Sequence, residues 1–500
     1  MRIDFRRTTE LLLVFSVAFF VTYFGETREA AAVPSFARKY QTSCQTCHTV
    51  YPVLNPFGEA FRRNGYRFPS QDGSVDSDAV KAAMIPLGQE EYTKTFPQSV
   101  WPDKITDAVP LSLMMNGNVA FTFPYSDAHD AAGQTFTWGK IVGEVHVFAA
   151  GSLNDSLTYF TQLTIPSDGT IDIETGYLLW NDILGPRHVF NVWLGRLMSP
   201  QLTSFGLHSS YVTDSFTPAV SVVGLYNPSV GRVVGQGHTD GIEANGIVGH
   251  RVGWALGWIA STTAPGLKGP NAEDVYAHIG IKSGGVALDG EGKYGPNAPD
   301  PMKPWAETSI TLDMFGYHGL NLIDNGTATV AGATPNPVQQ RDGFEVVGGS
   351  VRGQLESLIL TSGLQFERHH KPYAGTPATT APDGTTALGS PNFADAKAWV
   401  QYNELDYVVF PWLVPALRTE YTRMTFDSSN PASLLRVIPG VAMLVRPDVK
   451  VTVTGDFERG YGLPVTGGWG PAGGSIVPPG AGQSSLFEAE QINVAAAVAF

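Results

Sequence analysis

The sequence predicts a mainly β chain in which about sixteen antiparallel strands close into a transmembrane barrel behind a small α-helical N-terminal module. Three observations carry that reading. Charged residues are only 16% of the 500, against about 25% in a soluble globular chain. From about residue 110 to the end, apolar and polar residues alternate at period two, the pattern of strands with one apolar face. After Phe24 no stretch reaches the ~20 consecutive apolar residues of a spanning helix, so a membrane would have to be crossed by strands. The net charge of −14, from 32 basic and 46 acidic residues, argues against a nucleic-acid partner, which needs clustered cations.

Residues 1–32 read as a secretory signal peptide. Arg2, Arg6 and Arg7 precede an apolar run from Leu11 to Phe24, and Ala30, Ala31 and Ala32 supply a small-residue cleavage site. The mature chain is expected to begin at Val33 and to be exported.

Residues 33–70 form the module. The chain's two cysteines are Cys44 and Cys47, followed at once by His48. This C-x-x-C-H arrangement is the attachment site of a c-type haem: two thiols three residues apart face the same way and can add to the two vinyl groups of one porphyrin, and the adjacent imidazole reaches the iron as proximal ligand. One covalent haem c is therefore expected on a monohaem cytochrome c module. A redox disulfide or half of a zinc site does not need a histidine at that position. A helix is expected next, capped by Asn55, begun by Pro56, with Glu59 in its first turn, Arg62 and Arg63 in its last and Gly65 beyond. Phe57 and Phe61, one turn apart, present an apolar face suited to a haem edge. Arg38, Lys39, Arg62 and Arg63 make the segment locally basic, which suits haem propionates.

Residues 71–109 read as a linker. Within it Met84, in Ala-Ala-Met-Ile-Pro, is the first candidate for a distal iron ligand, and Met114, facing inward at the start of the first strand, is the second.

Residues 110–500 carry the barrel pattern. Leu111, Leu113, Met115, Val119 and Phe121 alternate with Ser112, Met114, Asn116, Asn118 and Thr122. Val449, Val451, Val453, Gly455 and Phe457 oppose Lys450, Thr452, Thr454, Asp456 and Glu458, and the last strand has Ile492, Val494, Ala496, Val498 and Phe500 on one face. A water-exposed β-sandwich would need more charge than this; a lipid-facing barrel does not. The stretches Ala374–Pro391, Gly460–Gln483 and Asp324–Gln340, rich in Gly, Pro, Ser and Thr, read as long outer loops. Ser199–Gln236 is long enough to fold into the lumen. Glu144, His146, Arg418, Glu420, Lys450, Asp456 and Glu458 are expected to face inward as a polar channel lining.

The run Pro34 to Arg38, then Cys44 to His48, Asn55 to Gly58 and Asn64 to Tyr66 resembles the outer-membrane fused cytochrome-porin family, in which a monohaem c-type cytochrome is joined to a porin-like barrel, as in iron-oxidising bacteria. The resemblance covers residues 34–66. It implies Cys44 and Cys47 as thioether anchors, His48 as proximal ligand, location in the bacterial outer membrane, and electron transfer across it. The donor would be extracellular Fe(II) and the acceptor a periplasmic carrier such as a soluble cytochrome c, which amounts to an Fe(II):cytochrome oxidoreductase activity. Two other classes stand beside it: a solute porin whose haem-bearing module is a plug or redox sensor, and a haem enzyme with an open sixth position.

Overall fold

The computed structural model describes residues 35–40, 42–70, 84–86, 94, 104–106, 111–125, 135–137, 142–153, 156–198, 212–213, 238–260, 274–292, 303–328, 336–370, 379–380, 387–388, 396–426, 432–446, 448–461 and 486–499. The expected signal peptide and most of the linker lie outside them. Helices α1 (Ser35–Tyr40) and α2 (Pro56–Arg63) flank a small hairpin of β1 (His48–Val50) and β2 (Val53–Leu54). Before the barrel, β3 (Met84–Pro86) pairs with β4 (Lys104–Thr106).

The barrel strands follow in chain order: β5 (Leu111–Tyr125), the short β6 (Thr135–Thr137), β7 (Glu144–Ser152), β8 (Leu157–Pro166), β9 (Asp172–Trp180), β10 (Asn191–Met198), β11 (His238–Val248), β12 (Val252–Ile259), β13 (Asp274–Gly284), β14 (Glu307–Ala328), β15 (Asn336–Glu356) and β16 (Leu358–His370). Two short pieces, β17 (Thr379–Thr380) and β18 (Ala387–Leu388), pair with each other outside the wall. The wall continues through β19 (Ala396–Tyr407), β20 (Leu413–Phe426), β21 (Ala432–Arg446), β22 (Val449–Tyr461) and β23 (Leu486–Ala499). Each long strand pairs antiparallel with its neighbour in sequence, and β23 returns to β5 through partners such as Val494 and Val119. Sixteen long strands thus close with no free edge, and β6 adds only a short pairing on β5. Closure gives each wall strand a partner on both sides, the condition for a sheet surrounded by lipid.

Burial along the strands is inverted relative to a soluble protein. On β22, Lys450, Thr452, Thr454, Asp456 and Glu458 are buried and Phe457 is exposed. On β12, Leu256 and Trp258 are more than half exposed. Apolar side chains line the outside because lipid is their solvent there, and polar ones pair in the interior. The inward ionisable residues sit as the alternation places them: His146, Arg418, Glu420, Lys450, Asp456 and Glu458 are buried on the lumen side, and Glu144 reaches His146 at 3.4 Å. This is a porin-like barrel of outer-membrane type.

The two ends of the barrel differ. Single-residue or few-residue turns join β11 to β12, β15 to β16, β19 to β20 and β21 to β22 at one end, where β5 starts and β23 finishes. Residues 199–237, 371–395 and 462–485 connect strands at the other end. Part of one expected loop is strand instead: within Asp324–Gln340 the β14–β15 ladder continues as far as Ala328 opposite Asn336. Composition alone marks this stretch as loop. From the long connection 199–237, Val212 and Thr213 lie inside the barrel. The Val212 N–H and the Thr213 hydroxyl donate to Glu404 of β19 at 2.9 and 2.6 Å, and Arg418 donates to the Thr213 carbonyl at 3.3 Å. These two residues of the expected lumenal loop therefore lie inside the barrel, against β19 and β20.

Candidate cofactor site at the short-turn mouth

The Cys44–His48 segment is built by a 3₁₀ turn, Cys44–Thr46, closed by the Cys47 N–H donating to the Cys44 carbonyl at 3.1 Å. Three residues on such a turn complete one revolution, so both thiols leave from the same side. His48 then opens β1. Its Nδ1 lies 3.2 Å from the Pro52 carbonyl oxygen, to which it donates as the neutral ring's N–H, leaving Nε2 as the atom with a lone pair to offer. Desolvation lowers the His48 imidazole to about 4, so the ring is neutral at pH 7. That is the protonation state a metal ligand requires.

Asn55 holds this turn against α2. Its side-chain oxygen accepts from the Gly58 N–H at 2.9 Å, the expected helix cap. Its Nδ2 donates to the carbonyls of Gln45 and Thr46 at 3.0 and 3.1 Å, and its backbone N–H donates to the Cys47 carbonyl at 2.9 Å. Gly58 is needed because a Cβ there would overlap the Cys47 carbonyl oxygen. The capping role was legible from Asn-Pro ahead of an apolar pattern; the grip on Gln45 and Thr46 had no sequence signal.

The two cysteines are not joined in a disulfide. Burial first, then the nearby Asp448 carboxylate, push the Cys44 thiol up. A reactive C-x-x-C thiol is instead pulled down, so this environment does not suit disulfide exchange. Of the four basic residues expected near propionates, three are engaged: Arg38 donates to the Leu111 carbonyl, and Arg62 and Arg63 lie 3.1 and 3.8 Å from Glu59. The Lys39 ammonium is buried without a hydrogen-bond partner among the described residues, 5.2 Å from the Tyr40 ring centroid. A buried amine of this kind calls for an acidic group, which none of the described residues brings to it. Two thiols on one face, an imidazole oriented through Nδ1 and an ammonium without a partner among the described residues fit a covalently bound haem with its propionates.

The module is seated in the short-turn mouth. The Ser35 N–H donates to Ser112 at the start of β5, and Gln45 reaches the Pro411 carbonyl between β19 and β20. Tyr51 enters the last hairpin, where its hydroxyl donates to the Ala497 carbonyl at 2.5 Å and accepts from the Lys450 N–H at 3.1 Å. Asn64 donates to the Asp289 carbonyl between β13 and β14, and Arg67 pairs with Asp182 between β9 and β10 at 3.0 Å. These anchors surround the rim. Phe61 and Tyr66 then join the wall: the Tyr66 ring stacks on Phe160 at 5.1 Å and its hydroxyl meets that of Tyr177 at 2.8 Å. Phe57 packs on Phe68 at 5.0 Å.

Met114 is half-buried on the lumen side, packed against the cluster that contains Val50, Tyr51 and Val53. The side chain of Met84 lies outside the described ones. Among the described residues, no group of three or more His, Cys, Asp or Glu side chains is arranged to hold a metal ion. The long-loop half of the lumen carries a wall of charge instead. Arg436 on β21 is held by Glu420, Asp456 and Glu458 at 2.9, 2.6 and 2.9 Å.

No family model matches the chain, and no curated protein matches it. Solved structures similar in fold are outer-membrane barrels. OmpT of Vibrio cholerae is 11% identical over 79% of this chain and 97% of its own, with a TM-score of 0.46. An anion-selective porin from Comamonas acidovorans is 10% identical over 78% and 98%, with a TM-score of 0.47. The outer membrane channel DcaP of Acinetobacter baumannii is 9% identical over 78% and 96%, with a TM-score of 0.45.

Proposed function

We propose that this chain is an outer-membrane electron-transfer protein. Cys44 and Cys47 anchor one haem c, His48 ligates it through Nε2, and the barrel holds that segment in its short-turn mouth. A bound haem supplies one-electron Fe(III)/Fe(II) chemistry. Asn55 and Gly58 keep the attachment turn against α2, Lys39 offers a cation for a propionate, and Met114 is the candidate distal ligand still within the described residues. Met84, the first candidate by sequence, is tested beside it.

The observation that carries the reading is the anchoring of the Cys44–His48 segment around the rim. A module on a free tether could not connect the two sides of an apolar band about 25 Å tall, whereas one seated in the mouth covers part of that distance. In a bacterial outer membrane the short turns face the periplasm, where a soluble cytochrome c is the expected acceptor. The reductant then approaches from the long-loop side, where Glu420, Asp456 and Glu458 surround one cation, Arg436, on the lumen face of β20 to β22. That balance favours a cation, and Fe(II) is the donor proposed.

The test is transfer across a bilayer. Haem-loaded protein in liposomes, given Fe(II) outside, should reduce a cytochrome c enclosed within; a fully loaded protein that reduces none would refute the reading. The same seating also supports a plugged porin. That reading predicts sugar or ion permeation that changes with the haem redox state, and a barrel equally closed in both states removes it.

A further inference from the structure

The outer wall departs from its own pattern in one sector. Residues 167–171 join β8 and β9 into a hairpin whose strands have ten and nine residues, the length of one membrane crossing. Trp180 and Leu178 are exposed toward its short-turn end, and Ile173 and Ile171 toward the other. Thr161 and Gly176 are cross-strand partners, the fifth residue of each strand, and so lie at mid-depth.

Their row runs on across the wall. From β7 to β11, Ala149, Thr161, Gly176, Arg196 and Asp240 are successive partners. One pleat nearer the short turns, the partners are Tyr159, Leu178, Leu194, Ile242 and Trp258. Leu178, Leu194, Ile242 and Trp258 are 44%, 56%, 40% and 55% exposed, so the alternation puts Arg196 and Asp240 on the same outer face. At ~4.8 Å between strands and ~40° of tilt, each step along the row shifts the height by about 3 Å. Arg196 therefore stands within about 3 Å of the hairpin's middle and Asp240 within about 6 Å, both inside the ~25 Å apolar band.

Acyl chains do not suit this stripe. An outward arginine is most costly at the bilayer midplane. Arg196 donates from Nε to the Glu174 carbonyl at 3.3 Å, one bond for a group with five N–H donors. That bond turns the guanidinium toward β9 rather than toward Asp240 on β11. Asp240 is exposed, and neither residue is in an ion pair among the described residues.

Charged side chains persist at membrane depth where they meet an opposite charge. The stripe holds one of each sign on neighbouring strands, which makes it complementary to itself. A two-fold axis along the membrane normal, between β10 and β11, sets Arg196 of each copy against the partner's Asp240. The ~3 Å difference in height between neighbouring partners is within an arginine's reach, and Gly176, with no side chain, lets the two walls approach.

We propose that this sector of the outer wall is the contact between two copies of the chain. Two ion pairs close it, Arg196 to the partner's Asp240 and the reverse, beside an apolar surface of Leu178, Leu194, Ile242 and Trp258. The contact lies on the outside of the barrel, so it stands apart from the haem reading.

The test is the mass of the full haem-loaded chain in mild detergent, read by native mass spectrometry at fixed concentration. Wild type should be a dimer. Arg196→Leu puts an apolar residue where lipid accepts one, so the barrel should close, as heat-modifiable mobility verifies, while the dimer fraction falls about 10-fold. R196D and D240R set like charges against each other and should lower the fraction at least as far. R196D/D240R, with the signs exchanged, should restore it. A wild type of one copy, or of three, overturns the proposal. So does a dimer that Arg196→Leu leaves unchanged, which would place the contact elsewhere on the wall. A charge-exchanged double variant no more dimeric than the single ones overturns it too, because the two residues would then not pair across the contact.

Discussion

The N-terminal module and the barrel wall place the same kinds of side chain in opposite positions. In the module, Phe57, Phe61 and Tyr66 are buried and Arg38 is exposed. In the wall, Leu194, Trp258 and Phe366 are exposed while Arg418, Glu420 and Asp456 are fully buried. The difference lies in what surrounds each. A small module gains stability by removing aromatic surface from water. A barrel in lipid gains nothing by hiding leucines, and its charges survive inside because they meet one another. At the mouth both rules operate at once, and Tyr66 stacked on Phe160 is where the two packings join.

Separating the two regions is the largest test of the comparison. C44S/C47S should abolish covalent haem entirely, read as a haem-stained band, while the barrel still shows heat-modifiable mobility. Loss of that mobility would show that the wall depends on the attachment site. Next is the interior charge. Arg436→Ala leaves Glu420, Asp456 and Glu458 without their shared cation, an expected loss of about 3–5 kcal/mol in urea unfolding from lipid vesicles. An unchanged midpoint would mean that water, not Arg436, balances those carboxylates.

The outer face should be about as intolerant of charge as the interior is of losing it. Leu364→Arg, on the lipid side at the middle of β16, should cost about 2–4 kcal/mol in the same assay. A cost near zero would place Leu364 outside the apolar band. Smaller again is Asn55→Ala, which removes the α2 cap and both grips on the attachment turn. About 1–2 kcal/mol of module stability should be lost, together with a lower haem content per barrel; Asn55→Asp restores the cap but not the donation to Gln45 and Thr46, so only the cap's share should return.

The smallest expected effects are pH dependences at the rim. The hydrogen bond that the His250 imidazole donates to the Asp289 carboxylate at 2.6 Å raises it above its ordinary value, despite some loss from desolvation. Its contribution is therefore full below about pH 6.5 and disappears as pH rises through the raised value. Asp289 also accepts from Asn64, so the module's hold on that part of the rim should loosen slightly on the alkaline side, seen as faster amide exchange at Asn64. Asp182 behaves oppositely. Burial would raise its carboxyl, but Arg67 and the His188 N–H hold it below the usual range, so its contribution is present above about pH 3.9 and lost only in stronger acid. Protection at Asn64 that is flat across pH 5.5 to 8.5 would remove His250 from the anchoring.

Much of the wall was legible before any coordinates. Period-two alternation assigns inside and outside on β22 residue by residue, because a strand offers only two faces and lipid and lumen make opposite demands on them. The cap at Asn55, the start at Pro56 and the exit at Gly65, which has φ of +69°, are likewise local, set by the chain's own geometry within one or two turns. Composition failed where it was asked about length: Asp324–Gln340 looked like loop, yet the β14–β15 ladder runs through most of it, because a hairpin outside the membrane is stabilised by its partner strand rather than by its own residues.

By itself, then, the sequence determined the closed sheet, which faces are wet, and the placing of two thiols and an imidazole on one turn, since each follows from spacing along one strand or one turn. Where the module sits was decided only by the tertiary structure. Tyr51 with Ala497, Asn64 with Asp289 and Arg67 with Asp182 are separated by 446, 225 and 115 residues. Contacts so distant depend on how the closed wall brings its rim together, and no local pattern in the chain encodes that.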